Sequence, residues 1–243
     1  MKKLLCVITI AVFSFACSKK ESVLTEEDRK ELGNAILETI YTSQQFVCGE
    51  ETTKEIITLV ENHNPVLYPQ GSNQLKKLTA LAAQTSKDIC NRSLPLIEQY
   101  NKNLVKALKD SKTEKELSNK NESLGTNYRN TQLHLIQAHT AALGSAITNT
   151  YDTQYQDLKS ISDLCKTKKM TSCPTNQMNK EITPLYDNAF KELYPIVLDI
   201  MLEDTGDGEK RNKIFAEKTK NVSAKIQNIS KKSKAKYTQL ISK

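Results

Sequence analysis

The chain has no tryptophan, only seven glycines and six prolines in 243 residues, and just 6% aromatic residues. Sheet-rich folds draw on aromatic and β-branched side chains and on frequent Gly- or Pro-marked turns, so this composition argues for helices around a modest core. The apolar run at positions 4–15 is about 12 residues long, short of the roughly 20 that a membrane-spanning helix needs. Glycine-rich phosphate loops, dinucleotide fingerprints and serine nucleophile elbows are all missing. No two cysteines stand in a C-x-x-C pair, which removes the usual zinc and haem-attachment spacings. The three histidines are His63, His134 and His139, and the last two are five apart, where a helical metal pair prefers three or four. Asp204-Thr205-Gly206-Asp207-Gly208-Glu209 is acidic but lacks the alternating oxygen ligands of a calcium loop, and reads as a turn. The paired Glu26 and Glu27 fit the electrostatics of a helix first turn. These absences lead to the expectation of a chain with no catalytic residues, no cofactor and no metal.

What the chain does have begins at its start. Lys2 and Lys3 precede the apolar run, Ser14-Phe15-Ala16-Cys17 follows, and Ser18-Lys19-Lys20 turns polar. This stretch, and only this stretch, resembles a bacterial lipoprotein signal peptide. Ala16 suits the position before the cysteine, whereas Ser14 stands where Leu is usual and Phe15 is bulky for its place. The resemblance implies a signal peptide at 1–16, cleavage before Cys17, and acylation of that thiol by palmitate-like chains. It further implies a polar tether at 17–24 and residence in the bacterial cell envelope, with Ser18 compatible with the outer membrane. Two or more acyl chains make such an anchor durable, where one holds weakly.

Cys6 lies inside the signal stretch and Cys17 is the anchor, which leaves Cys48, Cys90, Cys165 and Cys173. An even number in an exported chain reads as two disulfides, with three possible pairings. In an up-down bundle the first helix rises, the second falls and the third rises, so Cys48 and Cys90 meet at one level. Cys165 and Cys173 then staple a helix–loop–helix corner.

Residues 25–243 read as one all-α domain, an elongated bundle of about six to eight helices held by the two disulfides. Thr25 suits an N-cap, Pro65, Pro69 and Gly71 mark a loop, and Pro95 suits the start of a new helix. Thr113-x-x-Glu116 has capping-box spacing. Past it, Leu117, Leu124, Tyr128, Leu135, Ala142, Ala146, Tyr155, Leu158 and Ile161 follow one drifting face, with a break expected near Gly144 or Asn149-Thr150. The next stripe includes Leu185, and Pro184 and Pro195 are expected to kink or break its helix.

The formal net charge is +7, and it is unevenly placed: eleven Lys or Arg face two Glu across 209–243. Lys210, Arg211, Lys213, Lys218, Lys220, Lys225, Lys231, Lys232, Lys234 and Lys236 flank a thin apolar stripe in a long last helix. Such a helix suits an anionic surface, either lipid headgroups or an acidic protein, and nucleic acid is not expected in the envelope. The expected function is that of a non-enzymatic, lipid-anchored envelope protein that presents a helical surface to a partner or an anionic surface. The alternative is a binding module with a small-ligand pocket between helices, opened at the proline kinks and lined by Tyr186, Tyr194 and Met201.

Overall fold

The computed structural model describes residues 23–203 and 206–242, and among them every regular element is helical. The signal stretch, Cys17 and most of the tether lie outside the described residues, as do Asp204 and Thr205. Seven α-helices follow in order: α1 (Glu26–Cys48), α2 (Glu50–Glu61), α3 (Asn73–Asp110), α4 (Glu114–Ile147), α5 (Thr153–Thr167), α6 (Thr175–Leu202) and α7 (Gly208–Ile241). A π-helical turn, Thr148–Asp152, joins α4 to α5. One isolated bridge pairs Val23 with Thr113. An all-α fold stapled by two disulfides is therefore what this sequence forms.

The helices gather into two compact units. The first holds the described residues up to Asn62 together with Asn73–Gln137; the second holds His63–Ser72 and Ala138–Lys243.

In the first unit, α1 starts at a complete capping box. Asp28 N–H donates to the Thr25 hydroxyl, and the Asp28 carboxylate accepts from the Thr25 backbone. Leu24, Ile36, Tyr100, Leu104, Ala107, Leu108 and Leu117 form a core between α1, α3 and α4. Arg29 ties α1 to the end of α3, donating to the carbonyls of Leu108 and Ser111, the latter at 2.7 Å. At the next corner the Glu116 amide donates to the Thr113 hydroxyl at 3.3 Å. The Glu116 carboxylate reaches one residue further back than a capping box would, accepting from the Lys112 amide at 2.8 Å. The Cys48–Cys90 disulfide joins the end of α1 to the interior of α3 across a Cα–Cα distance of 4.8 Å. The expected pairing holds. Pro95 lies inside α3 and starts no new helix. Ser93 and Ile97 on either side of it are buried, so packing on both flanks carries the helix through the missing N–H.

In the second unit, α6 and α7 run antiparallel beside α5. Cys165–Cys173 closes the α5–α6 corner, as expected, where Lys169 adopts a left-handed φ of 51°. Pro184 and Pro195 also lie inside an unbroken helix, α6. Tyr186, Ala189, Leu193 and Val197 are fully buried along the same stretch, and their packing carries the helix past both prolines without a break. Leu185, expected in the core, is 44% exposed. The break expected near Asn149-Thr150 takes the form of the π turn. Gln154 and Asp157 stand in the core beside Ile161, where the sequence pattern pointed to Tyr155 and Leu158. Asp157 lies eleven residues past the buried Ala146 and so on the same helical face.

Candidate interaction surface

The ten basic residues of α7 separate into two sets. Lys218, Lys225 and Lys236 pair across the helix hairpin with Glu203, Glu192 and Glu181, at 3.4, 2.5 and 2.5 Å. The three glutamates are spaced by 11 residues on α6, and the lysines by 7 and 11 on α7. Both spacings return a helix to nearly the same face at about 100° per residue, so the antiparallel pair is laced along one edge. Lys234 reaches the buried carboxylate of Asp157 at 3.4 Å. Arg211 is also engaged.

Lys210, Lys213, Lys220, Lys231 and Lys232 form the second set. All five are exposed, and none makes an ion pair among the described residues. Lys213, Lys220 and Lys231 again have spacings of 7 and 11, so they share one line about 27 Å long. That line and its two neighbours occupy the face opposite the buried Val222, Ile226, Ser230, Ser233 and Tyr237. Glu209 and Glu217 are the two acidic residues beside this line. The helix begins cleanly: the Asp207 side chain caps it by accepting from the Lys210 amide at 3.1 Å, and Gly206 supplies the turn with a φ of 90°. The acidic stretch around Asp207 thus serves as a helix cap.

The second unit also holds polar groups in its interior, of which the sequence pattern singled out the histidines and tyrosines but not Asp152, Gln154 or Asp157. Asp157 is 2% exposed and accepts from the hydroxyls of Tyr186 and Ser230, each at 2.7 Å. Gln154 donates to Asn179 and Thr183 at 3.0 and 2.8 Å. At the π turn, Asp152 accepts from the Tyr68 hydroxyl and lies 3.1 Å from Nε2 of His63. His139 is fully buried, with Nδ1 3.0 Å from the Tyr194 hydroxyl. His63 and His139 therefore sit in separate clusters. Among the described residues no group of three or more His, Cys, Asp or Glu side chains could hold a metal, and no helix is long and apolar enough to cross a membrane. Tyr186 and Tyr194, expected to line a pocket, pack instead in these networks, and Tyr194 stacks on Phe190 with ring centroids 5.8 Å apart.

Burial holds several phenols protonated far above their ordinary range. Desolvation first, and hydrogen bonds to Asp152 and Asp157 second, raise Tyr68 and Tyr186 strongly. Desolvation followed by the Asp187 charge does the same to Tyr151. Burial pushes Tyr128 and Tyr237 to about 12. Unfolded tyrosines lose their protons near pH 10, so above that pH the unfolded chain binds fewer protons than the fold. The stability these phenols contribute is whole below about pH 10 and drains away as pH climbs through their raised values. Each proton held only by the fold costs about 1.4 kcal/mol per pH unit. Urea midpoints should therefore stay flat between pH 7 and 9 and fall steeply between pH 10 and 12. A flat profile to pH 12 would show that these phenols ionise freely in the fold.

Set against protein-family models, curated proteins and solved structures, the chain matches none.

Proposed function

We propose that this protein is a non-enzymatic, lipid-anchored component of the bacterial envelope, tethered through Cys17, that lays the outward face of α7 on an anionic surface. The observation that carries this reading is the line of exposed lysines, left unpaired while Lys218, Lys225 and Lys236 are used to lace α7 to α6. A solvated helix that needed charge only for solubility has no reason to gather its unpaired cations on one arc. Juxtamembrane lysines attract anionic lipid by about 1 kcal/mol each near the surface. A short tether would hold the body within reach of such a surface, since Val23 and Leu24 already belong to the fold and the six residues 17–22 would span at most about 22 Å. Lipid headgroups on the anchoring membrane are the nearest anionic surface for a body so held.

The test uses the oxidised, unlipidated chain with vesicles of phosphatidylcholine alone or with about one third phosphatidylglycerol, across a salt series. Binding to the anionic vesicles should weaken with salt. Changing Lys213, Lys220 and Lys231 to Gln should reduce it about 100-fold, the sum of three contributions of about 1 kcal/mol each. Changing Lys218, Lys225 and Lys236 to Gln should leave it within about threefold. Equal loss in both sets would make the effect one of net charge, and no binding by the unaltered chain would remove the surface reading. The anchor has its own readout: mass spectrometry of the mature N-terminus, where an unmodified residue would refute acylation of Cys17.

A further inference from the structure

The first unit contains a pocket of about 340 Å³ between α1, α3 and the start of α4. Its floor is the unit's own core: Leu24, Ile36, Tyr100, Leu104 and Leu117 are all buried residues that reach it. The core is thus open to solvent on this side, where a closed one would be filled. A volume of this size lies within the range of small-molecule sites.

Its rim is polar in one sense only. The charged residues that line it are Asp28, Glu31 and Glu114, and no Lys, Arg or His does so. In a chain of net charge +7, a mouth with three carboxylates and no cation is a local reversal of the protein's character. The Asp28 carboxyl is held below its usual range by its hydrogen bonds from the Thr25 side chain and backbone, so it stays ionised well into acid. Asp28 and Glu114 also face the positive ends of α1 and α4, which offset part of their charge. Glu31, one turn further along α1, carries no such offset.

We propose that this pocket binds an amphipathic organic cation, a short hydrocarbon bearing an ammonium group. The hydrocarbon lies on Leu24, Ile36, Leu104 and Leu117, and the ammonium group lies at the rim near Glu31 and Glu114. A fatty acid or alkyl phosphate fits the floor but meets three like charges at the mouth. A neutral alcohol fits the floor and gains nothing from the rim. The site is separate from the lysine face of α7, which lies in the other unit.

Three probes of equal chain length test this by calorimetry on the oxidised, unlipidated chain: octyltrimethylammonium and octyl sulfate, each below its micelle concentration, and octanol below its solubility limit. The ammonium probe should bind at least fivefold more tightly than octanol, and octyl sulfate most weakly. Glu31→Gln together with Glu114→Gln should bring the ammonium probe down to the octanol level and leave octanol unchanged. Ala35→Trp, on the exposed side of the wall, should abolish binding of both. Octyl sulfate binding as tightly as the ammonium probe, or an Ala35→Trp variant that binds as before, would overturn the proposal. If Ala35→Trp fails to fold, the rim pair decides alone, because Glu31 is exposed, Glu114 stands in the first turn of α4, and Gln keeps the size of both.

Discussion

Replacing Cys48 and Cys90 with Ser should lower the stability of the first unit by about 4 kcal/mol, the largest loss expected from either disulfide. In the chain-entropy account, a cross-link stabilises by denying the unfolded chain its freedom, and the gain grows with the logarithm of the loop it closes. The Cys48–Cys90 loop spans 42 residues and the Cys165–Cys173 loop spans 8. The same relation assigns the shorter loop about 2.5 kcal/mol. The 42-residue loop also contains α2, which has only 12 residues and would be marginal alone. In the folded chain, α2 is held at Thr52, Ile56 and Val60, at the Thr53–Ser86 hydroxyl contact of 2.8 Å, and by the bridge beside it. Losing the bridge should therefore release α2 first. Urea unfolding of Cys48→Ser/Cys90→Ser against Cys165→Ser/Cys173→Ser, followed by helical circular dichroism, reads the difference directly. Hydrogen exchange should show faster α2 amides in the first pair only. If the short-loop pair lost more stability, loop entropy would not be the source of the stabilisation.

Much of this architecture is written locally. Thr25 with Asp28 marks the start of α1, Pro65, Pro69 and Gly71 mark the loop before α3, and counting helix directions pairs the cysteines correctly. These features are legible because a cap, a turn or a spacing acts within a few residues. The prolines were misleading for the opposite reason. Pro95, Pro184 and Pro195 weaken a helix locally, but burial of Ile97, Tyr186 and Val197 around them outweighs that cost in the tertiary structure. The π turn was half legible: Asn149-Thr150 interrupts the stripe, yet nothing local tells a π turn from a break. Asp157, one of the most consequential residues in the second unit, lies on the buried face but reads in the sequence as a surface carboxylate, because ionisable side chains are seldom buried. The lysine face was legible as composition and illegible as geometry. A signal was present: Glu181, Glu192 and Glu203 repeat at 11, as Lys225 and Lys236 do, and matching repeats of opposite sign on adjacent helices foretell a laced pair. The remainder, Lys210, Lys213, Lys220, Lys231 and Lys232, makes no ion pair among the described residues.

Asp157→Leu should cost the second unit about 3–5 kcal/mol, and the arrangement around it says how that loss can be undone. The carboxylate is 2% exposed and serves three groups on two other helices: the Tyr186 hydroxyl from α6, and the Ser230 hydroxyl and Lys234 ammonium from α7. Leu fills the space but leaves both hydroxyls without an acceptor, and each stranded buried hydroxyl costs about 1–3 kcal/mol. Lys234 adds little, since its side chain is 47% exposed and water can take over from the carboxylate. Asp157→Asn keeps the shape and one acceptor oxygen, so its cost should be about 1–2 kcal/mol. The informative variant is the triple Asp157→Leu, Tyr186→Phe, Ser230→Ala, which removes acceptor and donors together. Replacing a buried polar cluster by apolar groups of similar size is often neutral or stabilising, so the triple should regain most of what Asp157→Leu loses. Such a rescue would mean that Asp157 selects how α5, α6 and α7 meet and contributes little to how strongly they hold. A triple variant as unstable as Asp157→Leu alone would mean that the carboxylate itself is the stabilising element. The lysine face of α7 depends on this point, because Ser230 sits one residue before Lys231 and fixes the rotation of the helix that presents it.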